Sequence, residues 1–182
     1  MRKIILYIAS SLDGKIADTE GSVDWLHQIP NPEKSDYGYA DFIKSIDTTL
    51  MGNDTYKQVL GFDVEFPYKG LANYVITRDK SRTKDEHVQY ISQNVVDFVK
   101  DLKEKPGKDI WCIGGGGLNS VLLENGLLDD ILVFVMPVIL GPGIPLADQI
   151  SKNCKLELTN TTTYKSGVVE LVYKVISESK TI

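Results

Sequence analysis

At 182 residues, 42% hydrophobic and 25% charged, the chain has the size and composition of one ordinary globular domain. That balance excludes a disordered, collagen-like or coiled-coil chain. With 25 acidic against 20 basic residues the net charge is −5, which argues against a general nucleic-acid binder, because such proteins draw their affinity from phosphate neutralisation. A small phosphorylated ligand held by backbone N–H groups stays open. The two cysteines, Cys112 and Cys154, form no CxxC and have no His at ligand spacing. No metal site and no disulfide framework is expected, and a reducing cytoplasm fits. Cys112 reads as a small buried hydrophobe. The apolar run over residues 4–9 is too short for a signal peptide, and the run over 131–147 is interrupted by Pro137, Gly141, Pro142, Gly143 and Pro145. Neither suits a membrane span, and a cytoplasmic protein is expected.

In chain order, residues 3–10 form a continuous apolar run, as expected of a strand buried on both faces. Residues 11–32 are loop-rich. From Ser35, the expected N-cap, Tyr39, Phe42, Ile43 and Ile46 recur at helical spacing. A short strand over 48–51 closes at Gly52, and a second helix is expected over 54–60. Strands are expected over 73–77 and 88–91. A helix marked by Val95, Val96, Phe98, Val99 and Leu102 ends at Pro106-Gly107. A buried strand over 109–113 runs into four glycines, then a helix over 118–124. A strand over 131–136 follows, and residues 155–164 and 168–175 read as a hairpin about Ser166-Gly167. The alternation of periods defines an α/β domain, expected as a single unit over residues 1–176 with a frayed tail over 177–182.

The strongest local signal is Ile110-Trp111-Cys112-Ile113 followed by Gly114, Gly115, Gly116 and Gly117. A strand that feeds glycines into a helix start makes an anion site, since the backbone can approach and free N–H groups meet the charge. The pattern is neither GxGxxG at the first strand nor a P-loop. Met51-Gly52-Asn53-Asp54-Thr55-Tyr56 is a second strand-to-helix junction, at which Asp54 or Thr55 could also serve merely as a cap. Tyr74-Val75-Ile76-Thr77-Arg78 ends in a hydroxyl and a guanidinium suited to a phosphate monoester. One dinucleotide across three strand ends accounts for all three.

These segments, with Ala9-Ser10-Ser11-Leu12-Asp13-Gly14-Lys15-Ile16-Ala17 and Leu140-Gly141-Pro142-Gly143-Ile144-Pro145, resemble the dihydrofolate reductase-like superfamily. Within it they most resemble the reductase domain of bacterial riboflavin biosynthesis and its stand-alone relatives. The resemblance covers nearly the whole chain. It implies a three-layer α/β fold: a mixed, mostly parallel sheet of about eight strands with helices on both faces.

It also implies an NADPH-dependent reductase acting on a small heterocyclic (pterin- or aminopyrimidine-like) or carbonyl substrate. The alternative is a dinucleotide-binding sensor or scaffold without turnover. By position, Ala9, Gly14 and Ile16 would serve the nicotinamide. Gly52, Asn53, Asp54 and Thr55 would approach pyrophosphate and ribose. Thr77 and Arg78 would hold the 2′-phosphate, and Gly114 to Leu118 would cover the pyrophosphate. Where relatives carry Arg after the glycine, this chain has Asn53, so Arg78 carries the preference for NADPH. Asp36 and Asp13 are the candidate acids. Trp25 and Tyr39 are expected beside the substrate. A homodimer is expected through the apolar 131–146 segment.

Overall fold

The computed structural model describes residues 1–176; the tail expected over residues 177–182 lies outside them. The strands are β1 (Ile4–Ser11), β2 (Lys15–Ala17), β3 (Ile46–Gly52), β4 (Ala72–Ile76), β5 (Gln89–Ile91), β6 (Asp109–Gly114), β7 (Asp130–Met136), β8 (Ile144–Pro145), β9 (Lys155–Thr163) and β10 (Val169–Ile176). Eight of them form one sheet in the order β5-β4-β3-β6-β1-β7-β10-β9, and β2 pairs with β8. The strands from β5 to β7 in that order are parallel to their neighbours. The β9–β10 hairpin turns back antiparallel on β7.

Alternation along the strands sorts the core into two layers. Leu50, Ile110 and Cys112 face one side, where α3 (Val95–Glu104) and α4 (Gly116–Glu124) supply Val99, Leu102, Leu118 and Leu122. Met51 and Trp111 face the other side, where α2 (Asn53–Leu60) supplies Tyr56 and Val59, and Phe42 of α1 (Tyr39–Lys44) packs against them. At the amino ends of the strands, buried Arg2 pairs with Asp47 and donates to Thr48. Buried Lys103 donates to Asp129 and to the Leu127 carbonyl. These anchors tie the amino ends together, away from the carboxyl ends where the cleft lies.

The structure corrects three sequence expectations. The helix expected from Ser35 begins only at Tyr39, because Tyr37 and Gly38 take left-handed φ values of 54° and 81°. Its capping carboxylate is Asp36, whose oxygens accept the Gly38 and Ala40 amides. Ile46 belongs to β3 rather than to the helix. The last helix of the glycine segment starts at Gly116, so two of the four glycines are helical.

Candidate active site

β1 pairs with β7 from Ile5 to Ser11, but with β6 only from Ile4 to Leu6. Beyond Leu6 the seam between β1 and β6 opens. The Ile110 amide donates to the Lys3 carbonyl, so odd-numbered residues of β1 direct their backbone groups toward β6. Past the split, the Tyr7 carbonyl accepts the Trp111 indole N–H at 3.2 Å. Ala9, by the same alternation, turns its backbone N–H and C=O into the open seam.

Next to this seam, two helix starts meet. Thr55 Oγ1, in the first turn of α2, donates to the Gly114 carbonyl at 3.1 Å. Gly115 has φ +97°, and a Cβ there would lie 3.1 Å from Thr55 Oγ1. The first helical bond of α4 runs from the Asn119 amide to the Gly115 carbonyl, so the amides of Gly116, Gly117 and Leu118 precede the hydrogen-bonded ladder. Neither helix start has a side-chain cap. Uncapped amides and two positive dipole ends therefore converge where β3 and β6 finish.

The cleft over this junction holds about 880 Å³. That volume suits a ligand of drug or cofactor size. Tyr7, Ala9, Ile16, Val59, Phe62 and Tyr68 form much of its wall, with Asp54, Thr55 and Gly115 at one end. Glu20, Asp24 and Asp54 bring three carboxylates to the lining against one cation, Lys57, which lies 3.6 Å from Asp54.

Further out, Thr77 is buried and its hydroxyl accepts the Asp79 amide. Arg78 is exposed and has no acceptor among the described residues. β3 and β4 pair Gly52 with Ile76, so Asn53 and Thr77 leave the sheet side by side. Arg82, from the turn after β4, donates to Asn53 Oδ1 at 3.2 Å and lies 4.6 Å above the Tyr90 ring. It returns a guanidinium to the neighbourhood of Asn53. In sequence it was one charge within an ordinary charged turn.

The two candidate acids are occupied elsewhere. Asp13 accepts the Leu140 and Gly141 amides and the Ser11 hydroxyl, at 3.0, 2.8 and 2.7 Å. The Leu140 amide and the Ser11 hydroxyl hold its carboxyl down at about 2. It clamps the β1–β2 turn to the loop after β7. Asp36 is exposed, and the Ala40 and Gly38 amides keep it below the usual carboxylate range. Both stay ionised at neutral pH, which removes them as proton donors.

Gly14 uses its amide on the Ser11 carbonyl and its carbonyl on the Leu146 amide, so it offers the cleft no free backbone group. Trp25 is not on the cleft surface. It is buried against Phe134, Met136 and Val168, while its neighbours Val23, Asp24 and Leu26 line the wall. Tyr39 stands behind that wall, edge-on to Tyr7 and Trp111 at centroid distances of 6.2 and 5.8 Å. Burial pushes the Cys112 thiol up to about 12, as befits a core residue. Among the described residues no group of three His, Cys, Asp or Glu is placed to hold a metal ion, and no helix is long and apolar enough to cross a membrane.

Sheet order and opened seam together define a dihydrofolate reductase-like domain. The dihydrofolate reductase of Enterococcus faecalis, solved with NADP(H), matches with TM-score 0.66 at 14% identity, over 96% of this chain and 97% of that one. The chain belongs to the RibD C-terminal domain family, whose model matches residues 2–170. It is 38% identical over 167 residues to the uncharacterized protein YwjB of Bacillus subtilis (strain 168), covering 92% of this chain and 95% of that one. A protein of Shewanella sp. PV-4, assigned by name to riboflavin biosynthesis, matches with TM-score 0.86 and 28% identity, over 96% and 99% of the two chains.

Proposed function

We propose that the protein is an NADPH-dependent reductase of a small heterocyclic or carbonyl compound. The observation that carries this reading is the junction of two uncapped helix starts at Thr55 and Gly115, next to the opened β1–β6 seam. NADPH would supply the hydride. Its nicotinamide would lie against the Ala9 backbone and Ile16. The pyrophosphate would take the amides at the starts of α2 and α4, and Gly52 and Gly115 would let it approach. Arg78, with Arg82 and Thr77 near it, would face the 2′-phosphate. The walls from Tyr7 to Tyr68 would exclude water from the reacting carbon and hold a flat ring against the nicotinamide. A two-fold dimer through the loop after β7 is part of the same reading, because Ile139 and Leu12 are 70% and 66% exposed there.

The test is a fluorescence titration with NADPH and NADH. A charge-assisted pair to the 2′-phosphate is worth about 1.5–3 kcal/mol, or roughly 10- to 150-fold. Arg78→Ala is expected to weaken NADPH by that factor and leave NADH nearly unchanged. Equal effects on both cofactors would overturn the assignment. One observation favours a second reading, a dinucleotide-binding sensor or scaffold: neither Asp13 nor Asp36 is free to give a proton. Tight NADPH binding without oxidation over pterins, flavin precursors and quinones would establish it.

A further inference from the structure

We propose that Tyr68 is the catalytic proton donor of this site, and that the cleft takes a neutral, flat, carbonyl-bearing ring without a phosphate group. The proposal rests on the reductase reading above and adds to it the missing acid and the class of substrate.

Tyr68 is 8% exposed and lines the cleft. Its ring stands edge-on to Trp111 and Phe66, at 5.2 and 5.5 Å between centroids. Its carbonyl accepts the Leu71 amide and the Asn73 side-chain amide, at 3.2 and 3.1 Å, so the backbone beneath it is fixed. The hydroxyl has no protein partner among the described residues. Trp25 Nε1 is the one fully enclosed side-chain polar atom without a partner there, so the Tyr68 hydroxyl, on a residue that lines the cleft, keeps access to solvent. Three other polar side chains of the wall point their donors at backbone carbonyls. The Tyr7 hydroxyl donates to the Tyr37 carbonyl, Thr55 to Gly114 and Gln58 to Gly21.

A held donor without an acceptor, on an aromatic wall, fits a carbonyl oxygen. Burial pushes the Tyr68 phenol upward, so it remains protonated at neutral pH. Away from the end assigned to the pyrophosphate, the lining offers the carboxylates of Glu20 and Asp24 and no cation, which disfavours an anionic substrate. In the step, the carbonyl carbon gains a hydride from the reduced nicotinamide. The C=O π pair moves onto oxygen, which takes the Tyr68 proton. The products are the alcohol and the oxidised dinucleotide, and the phenolate regains a proton from water at the cleft mouth.

The test uses 4-(dimethylamino)cinnamaldehyde, a flat neutral aldehyde whose absorption moves to longer wavelength when its oxygen accepts a hydrogen bond. It is titrated into the protein alone and into protein saturated with NADP⁺, and is then offered with NADPH. The native chain is expected to bind it with the long-wavelength shift in both forms. Tyr68→Phe keeps the ring that packs on Trp111. It is expected to bind the aldehyde within about threefold, lose the shift, keep its NADP⁺ affinity and oxidise NADPH at least about 100-fold more slowly. The matching carboxylate, 4-(dimethylamino)cinnamate, is expected to bind at least tenfold more weakly. A shift that survives in Tyr68→Phe, an aldehyde that does not bind, or a carboxylate that binds equally well would overturn the proposal. NADP⁺ affinity is read separately, so a protein that shifts the aldehyde but ignores the dinucleotide would remove the reductase reading instead.

Discussion

Gly117→Ala separates a folding role from a cofactor role within one glycine segment. Gly117 is exposed in the first turn of α4, and a Cβ built there meets nothing within 4 Å. Its φ lies outside the left-handed region, so alanine suffers no backbone strain. In the folded protein alone, alanine at a helical position is better than glycine by about 0.5–1 kcal/mol, because less backbone entropy is lost on folding. For a chain of this length that is a rise of about 1–4 °C in the unfolding midpoint. If a pyrophosphate lies over the amides of Gly116, Gly117 and Leu118, the same methyl intrudes on it. Loss of one charge-assisted hydrogen bond costs about 1.5–3 kcal/mol, or roughly 10- to 150-fold in affinity. The expected variant is therefore more stable without ligand and binds NADPH worse, read by thermal unfolding and fluorescence titration. A variant that is stabilised and binds NADPH at parental affinity would show that no phosphate sits on the start of α4.

Gly116 should behave in the opposite way. A Cβ there would lie 2.5 Å from the Pro145 carbonyl, so Gly116→Ala is expected to destabilise the protein itself by about 1–3 kcal/mol, measured by denaturant unfolding. The Asp13 clamp should show in the pH dependence of stability. Its folded carboxyl lies at about 2 against an ordinary value of 3.8, so its contribution is present above about pH 4 and is lost as pH falls toward 2. Asp13→Asn should lower the unfolding midpoint above pH 4 and converge with the native chain near pH 2; a constant difference would contradict the clamp. Ile139→Asp is expected to convert the proposed dimer to monomer in sedimentation equilibrium. A mass near 20.3 kDa for the unmodified chain at micromolar concentrations would rule the dimer out.

Much of the sheet was legible because its strands are short apolar runs punctuated by glycine. The runs into Gly52 and Gly114 end where strands β3 and β6 end. The left-handed turn at Tyr37 and Gly38 was not legible, because nothing in Tyr-Gly-Tyr distinguishes it from the first turn of a helix. Candidate acids failed for a related reason. Asp13 finds its acceptor geometry in amides 127 and 128 residues away, which no local pattern reveals. Tyr68 lies between the second helix and β4, in a stretch that carries no motif. Only packing on Trp111 carries it into the cleft. Arg82 likewise acquires meaning from Asn53, a contact across 29 residues.

The proposed dinucleotide lies across the carboxyl ends of β1, β3 and β6. Its most direct test is the change in backbone ¹H–¹⁵N NMR signals on adding NADP⁺. The largest changes are expected at Ala9, Asn53, Thr55, Gly115, Gly116 and Gly117, with the amino-end residues Arg2, Asp47 and Lys103 unmoved. Changes confined to other surfaces, or none at saturating NADP⁺, would contradict it.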